Sequence, residues 1–472
     1  MKPQLRLTVI VSTLSLLTAC SLIPDYQRPE PTIDIVENTE AGSISVAELG
    51  WREFYRDPAL QQLIQLALDN NQELRAASLS VEQLQKQYHI QRAARLPAVD
   101  VEGAASRERS PQALGFSARS GISEQYSVGL GITAWEIDFF GRIESLSQSA
   151  LQQYFASQAA RDSAQLSLIA EVADGWLSWQ ASRAQYQLAT GTREVREESY
   201  RLIQKRFDNG LVSELDLRQA ETAVHEASIL EAQHQQQANQ NFTTLQLLTG
   251  QTLDKSQWQA DWQQIGQLQD IPANLSSEVL LQRPDVLQAE HQIKSANADI
   301  GAARAAFFPR ISLTASLGLA GSEPAQLTET GSRQWQIAPQ FTVPLLNFGV
   351  NQTNLDVSEL QKDINIANYQ QVIQQAFKEV RDQMEARYTL DEQIKAQNDL
   401  IAATERSLAL ARSRFDAGID SYLDVLDAQR SAISSKLNQI DIRLQRLRNQ
   451  LTLYKALGGG LLETTNQPGV EN

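Results

Sequence analysis

Residues 206–221 read RFDNGLVSELDLRQAE, and residues 414–429 read RFDAGIDSYLDVLDAQ. Superposed at a shift of 208 residues (414 − 206), the two stretches share Arg, Phe, Asp, Gly, Ser, Leu, Asp and Ala, 8 of 16 positions. Each copy holds a helical pattern, a break at Gly210 or Gly418, and a second helical pattern. A helix hairpin written twice predicts a duplicated architecture whose working part is the turn. Outward from the hairpins, Gly141 matches Gly349, Val172 matches Val380 and Gly250 matches Gly458 at the same shift of 208, while Arg92/Arg304 and Pro97/Pro309 match at 212. The four-residue difference falls in or beside a predicted strand hairpin, where loop length is free to vary.

The helical stretches are long. Arg142 to Asp208 and Val350 to Asp416 are each 67 residues without a proline, about 100 Å each if continuous at 1.5 Å per residue. Gly175 and Gly191 are expected to bend or interrupt the first. The returning segments, 213–248 and 421–457, are about half as long, and shorter helices at 59–95 and 278–306 are expected to stack end to end with them. All are rich in Ala, Gln, Leu and Ser with a thin apolar stripe, which suits the wall of a helical barrel better than a thick core.

Between the helices the period changes from 3.6 to 2. In 125–135, Tyr126, Val128, Leu130, Ile132 and Ala134 alternate with Ser127, Gly129, Gly131 and Thr133. The second half repeats this: Ile311, Leu313, Ala315, Leu317 and Leu319 alternate with small or polar residues, and Trp335, Ile337, Pro339, Phe341 and Val343 do the same. Two strand hairpins, 98–135 and 310–343, are predicted, with strands of about ten residues and aromatics near their ends, as in membrane β-barrels. Pro339 is a blemish, because proline removes a ladder donor. Four strands cannot close a barrel and thin-striped helices cannot bury themselves, so association of several copies is required.

With 472 residues, 42% hydrophobic, the chain is long enough for a sizeable core. A formal charge of −15 argues against nucleic-acid binding. Lys2 and Arg6, the apolar run Leu7 to Leu17, and Leu17-Thr18-Ala19-Cys20 read as a processing signal, 1–19. Its L-x-A-C ending resembles the bacterial lipoprotein box, in which the cysteine becomes the lipidated first residue. Cys20 is the one cysteine of the chain, and Ser21 after it fits the rule that sends lipoproteins to the outer membrane. No other stretch has about 18 apolar residues in a row. Residues 20–58 then form a lipidated extended segment, 59–250 and 278–457 the two repeats, 251–277 a connector and 458–472 a flexible tail.

Further stretches carry a family resemblance: CSLIPDYQRP at 20–29, DPALQQLIQLAL at 57–68, WEIDFFGR at 135–142, LLQRPDVLQAEHQIKSANADIGAARAAFFPRISL at 280–313, FTVPLLNFG at 341–349, YLDVLDAQR at 422–430 and LYKALGGG at 453–460. Over nearly all of the mature chain they resemble the TolC-like outer membrane factors, in the lipoprotein branch typified by OprM. The resemblance implies a mainly α homotrimer with a membrane β-barrel part: a twelve-stranded β-barrel, four strands per protomer, joined to a trimeric α-helical barrel. It implies the outer membrane of a Gram-negative bacterium, with a lipid anchor and extension into the periplasm. The implied partners are a periplasmic adaptor and an inner-membrane pump of the resistance-nodulation-division class.

No catalytic fingerprint stands in a fitting context, so no enzyme and no cofactor beyond the covalent lipid on Cys20 are expected. The four histidines, His89, His225, His234 and His291, sit on polar helix faces and read as solvated. Asp424 and Asp427, spaced i, i+3 after the second turn, lie on one helix face; converging on an axis, several copies would ring the tip with carboxylates. The resemblance makes Leu423, Asp424 and Asp427 a periplasmic gate, with Arg414 at a matching gate position. Phe415 stands where relatives often have Tyr, so the hydroxyl's hydrogen bond is missing. The turns Asn209-Gly210-Leu211 and Ala417-Gly418-Ile419 resemble adaptor-contacting tips. The reading is a passive exit duct for drugs or other small toxic compounds, opened when adaptor and pump engage. The alternatives are an export duct for a protein substrate and a lipid-anchored periplasmic coiled-coil scaffold without a pore.

Overall fold

The computed structural model describes residues 21–30, 46–109, 122–258, 260–263, 265, 268–271 and 277–465. The expected signal, Cys20 and its lipid, and the last seven residues of the expected tail lie outside the described residues. The elements run α1 (Trp51–Phe54), α2 (Pro58–Asn70), α3 (Gln72–Ala93), β1 (Asp100–Arg109), β2 (Ile122–Glu136), α4 (Arg142–Asp208), α5 (Glu214–Thr249), α6 (Pro284–Ala305), β3 (Arg310–Gly321), β4 (Arg333–Thr342), α7 (Val350–Asp416) and α8 (Tyr422–Ala456). They divide into two compact units, one of residues 1–30, 80–157 and 288–369, the other of 31–79, 158–287 and 370–472.

The first unit holds a four-stranded antiparallel sheet in the order β1-β2-β3-β4. Its register sorts the side chains into two faces. Val101, Leu130, Leu317 and Trp335 stand opposite one another across all four strands, and all four are at least half exposed. One residue along, Glu102, Gly129, Gly318 and Gln334 form the matching row on the other face. A Cβ at Gly318 would lie 2.4 Å from the Val128 carbonyl oxygen, so no side chain fits there. The apolar face ends in an Arg107–Glu124 ion pair at 2.9 Å. A bulge interrupts the β2–β3 register between Ile132 and Trp135, with Ala134 at φ 50°; the displaced Ala134 N–H donates to Thr314 Oγ1 at 3.2 Å. Pro339 lies opposite Leu313 in β4, the outer strand beside β3.

In the same unit the lead-in runs along one face of α6. Ile23 packs where a Cβ on Gly301 would be. Asn297 Nδ2 donates to the Pro24 carbonyl at 2.7 Å, and Arg28 reaches Glu290. Positions 301, 297 and 290 are spaced by four and seven residues, one turn and two, so they share a face of the helix and the strap is held by helical spacing. Small side chains let α4 and α6 approach: the buried Ser149 and Ser295 hydroxyls meet at 2.9 Å. His291 differs from expectation. It is half-buried, 2.8 Å from Gln152 Oε1 and packed on Phe155, and burial lowers its pKa.

The second unit has the aromatic core. Phe54 stacks on Tyr454 with ring centroids 3.8 Å apart, and the buried Trp176 indole donates to Asp57 Oδ2 at 3.0 Å. The other oxygen of Asp57 accepts from Ala59 N, capping α2. Residues 458–465, expected within the flexible tail, are packed instead: Gly458, Gly459 and Gly460 are buried, and the Leu462 and Glu463 carbonyls accept from Trp51 N and Arg52 N.

Two helix expectations need correction. The helix foreseen over 59–95 is broken at Asn71, whose backbone is extended; its side-chain oxygen accepts from Glu73 N and Leu74 N and restarts the helix as α3. Gly175 and Gly191 do not interrupt α4, which is continuous over 67 residues. Gly175 faces α5, where an added Cβ would stand in ordinary contact with the Leu248 side chain at 3.4 Å. At both junctions where end-to-end stacking was expected, a side chain bonds a carbonyl at or near a helix end. Asn71 Nδ2 donates to the Leu248 carbonyl near the end of α5, and Arg283 Nη1 to the Ala456 carbonyl at the end of α8, both at 2.9 Å.

Candidate functional site at the hairpin tips

Both tips lie in the second unit. At the first, Gly210 N bonds the Phe207 carbonyl and Leu211 N the Arg206 carbonyl, at 2.8 and 2.9 Å; at the second, Gly418 N bonds Phe415 and Ile419 N bonds Arg414, both at 2.9 Å. These paired bonds are the Schellman closure, which needs a left-handed residue after the helix. Gly210 and Gly418 supply it at φ 71° and 73°. Leu211 and Ile419, at equivalent places, are left about two-thirds exposed or more.

The start of each return helix is also duplicated. The Asp216 carboxylate accepts from Ser213 N at 3.0 Å, and the Asp424 carboxylate from Ser421 N at 3.1 Å; each also accepts from its serine hydroxyl at 2.7 Å. Asp424 therefore has the same capping work as Asp216. Tyr422, Val425 and Leu426 are buried against Ile203, Leu217, Ala220 and Ala223 of the first hairpin. Burial raises the Tyr422 pKa. Leu423, Asp424 and Asp427 share the exposed face of α8. Asp427 is 3.7 Å from Arg430, which is itself engaged with Glu226 at 3.1 Å.

Arg414 is held within its own hairpin. Its Nε and Nη2 donate to the two oxygens of Asp420, at 2.5 and 2.8 Å, closing a bidentate clamp across the turn. The clamp raises the Arg414 pKa and lowers that of Asp420. Sequence reasoning missed Asp420; the signal was an acid six residues after Arg414, where the first copy has Val212. It also missed the link between hairpins: Arg206, the equivalent of Arg414, lies over the Phe415 ring at 5.0 Å and reaches Asp416 at 3.4 Å. Phe415, which cannot make the tyrosine hydrogen bond, supplies that ring and packs on Tyr422 at 5.4 Å.

A sheet with one exposed apolar face, and two 67-residue helices each turned back at a glycine tip, are the build of a membrane channel component. The family model described as outer membrane efflux protein matches residues 63–251 and 275–459, one span in each repeat, and the chain belongs to this family. It is 44% identical over 462 residues to the probable efflux pump outer membrane protein TtgC of Pseudomonas putida, covering 96% of each chain. It is 39% identical over 464 residues to the outer membrane protein OprJ of Pseudomonas aeruginosa, covering 97% of this chain and 96% of that one. Among solved structures, the open-state MtrE outer membrane channel of Neisseria gonorrhoeae superposes with a TM-score of 0.84 at 36% identity, covering 95% of this chain and all of that one. The chain is thus an outer membrane efflux protein, in a family of transport conduits rather than enzymes.

Proposed function

We propose that the protein is the exit duct of a tripartite efflux machine for small toxic organic compounds. Three copies close a twelve-stranded barrel and a helical tube. Cys20 carries the lipid anchor in a Gram-negative outer membrane, and the tips receive a periplasmic adaptor coupled to an inner-membrane pump of the resistance-nodulation-division class. The sheet is the observation that carries this reading. Its outer strands β1 and β4 have no partner among the described residues, and one face is exposed and apolar. In lipid such edges must be paired, and another copy's β4 beside β1 pairs both at once. Relatives named for antibiotic, solvent and toluene efflux support small organic cargo.

The gate is assigned to Leu423, Asp424 and Asp427 on the exposed face of α8, with Arg414 restraining the turn and the two glycine turns as adaptor contacts. Because Asp424 is spent on capping, Asp427 is the cleaner gate acid. Transport needs no cofactor here: the pump supplies energy and this chain the path. In planar bilayers Asp427→Asn should raise the small conductance of the closed pore several-fold; unchanged conductance would remove Asp427 from the gate. Cross-linking β1 of one copy to β4 of the next should give a ladder ending at three. Any other end point discards the trimer.

A further inference from the structure

In the second unit a cavity of about 320 Å³ lies between α4, α7 and α8, above the tips. Its lining includes the apolar Leu188, Val195 and Leu408 and the polar Arg196, Arg412 and Gln429. Arg196 is 5% exposed and Gln429 7%. Arg196 Nη1 and Gln429 Oε1 are both buried without a hydrogen-bond partner. Burial works against the Arg196 charge, Arg430 and Arg412 repel it, and Tyr422 and Glu226 act the other way. The carboxylate that acts on it, Glu226, is already engaged by Arg430 at 3.1 Å. The third cation of the cavity, Lys436, is paired with Glu405 at 2.7 Å.

A buried guanidinium with an unmet donor is expensive, and an arginine cannot escape the cost by losing its proton. The simplest compensation is an anion that brings acceptors to it. The geometry points to a binding site for a small amphipathic carboxylate, its head against Arg196 and Arg412 and its apolar body along Leu188, Val195 and Leu408. The volume is at the lower end for small-ligand sites, which suits a single-ring acid. Gln429 can turn its amide group to donate to the same head or to accept from a ring substituent. Because the lining comes from α4 of the first hairpin and from α7 and α8 of the second, an occupant ties the two hairpins together near their tips. This site is independent of the gate assignment.

The test titrates the full-length detergent-solubilised protein with sodium benzoate, and separately with sodium sulfate, by isothermal titration calorimetry at fixed ionic strength. One benzoate site per chain is expected, with sulfate at least tenfold weaker. Arg196→Gln should weaken benzoate at least tenfold, and the exposed control Arg381→Gln should leave it within about twofold, as screening makes remote surface charges small contributors. If Arg196→Gln fails to fold, Gly191→Leu replaces it. A Cβ at Gly191 meets nothing within 4 Å, so leucine improves the helix while filling the cavity and should abolish binding with Arg196 intact. The proposal is overturned by no benzoate binding, by sulfate binding as tightly, or by binding unaffected in whichever variant folds. A crystal structure with a carboxylate of a neighbouring copy seated on Arg196 also overturns it.

Discussion

The two hairpins share their turns and differ in what holds them. Gly210 and Gly418 close the same pair of backbone bonds, and Asp216 and Asp424 make the same bonds to their serines. The arginines diverge. Arg414 is clamped inside its own hairpin by Asp420, whereas Arg206, with Val212 opposite, reaches across to Phe415 and Asp416. Tyr422 is buried between the hairpins, while its equivalent, Glu214, is exposed. Duplication supplied two identical turns. Divergence made one hairpin a rest and the other a restrained arm lying on it, and the acid without a capping role, Asp427, is on that arm.

The largest break in this comparison is Tyr422→Ala. Removing a buried aromatic ring should cost about 3 kcal/mol, loosening the Phe415 and Val425 contacts. Hydrogen exchange at residues 420–429 should accelerate sharply, while Glu214→Ala leaves the first hairpin's exchange unchanged. Equal effects at the two positions would mean that the hairpins do not differ in this way. A smaller effect tests their likeness. Gly210→Ala and Gly418→Ala each place a Cβ on a left-handed residue in open space, costing about 1 kcal/mol. Exchange at the flanking amides should rise equally. A tip that shifts far more than its twin carries a constraint beyond the turn.

These differences were unevenly legible in the sequence. The long helices, the alternating strands and the glycine turns rest on periodicity and on residues with one conformational role, and those signals are local. The break at Asn71 was hidden because asparagine ends one helix and starts the next through its side chain, with no glycine or proline to mark it. Gly175 misled in the opposite direction, since the helix runs through it unbroken. At the tips, Asp424 and Asp427 stood out as a pair by spacing, yet spacing could not reveal that Ser421 occupies one of them. Arg414 and Asp420 meet only because the turn folds back, so the clamp follows from three dimensions. Arg196 gave no signal at all: its unmet donor exists only once α4, α7 and α8 are packed.

Asp420→Ala removes the clamp without touching the turn. The pair is exposed, so global stability should hardly move. The freed Arg414 should instead show in single-channel recordings as a modest rise in closed-state conductance. Val212→Asp carries the comparison the other way. It offers Arg206 an acid in its own hairpin, should draw it from Asp416, and should free the second arm to a similar but smaller degree. If Val212→Asp tightens the closed state, Arg206 is not part of the rest.

The smallest effect is with pH. The Asp420 pKa lies below its ordinary value because Arg414 bonds it, so the clamp's contribution is complete above the usual aspartate range near ~3.9 and is lost only as pH falls through the lower folded value. Arg414 is raised from a value already far above neutrality, so it does not limit the clamp at any ordinary pH. The clamp therefore predicts no change between pH 5 and pH 8. Closed-pore conductance measured over that range should therefore be flat, in the wild type and in Asp420→Ala alike. A step between pH 5 and pH 8 that vanishes in Asp420→Ala would show the clamp breaking there and would overturn this reading of the Arg414–Asp420 pair.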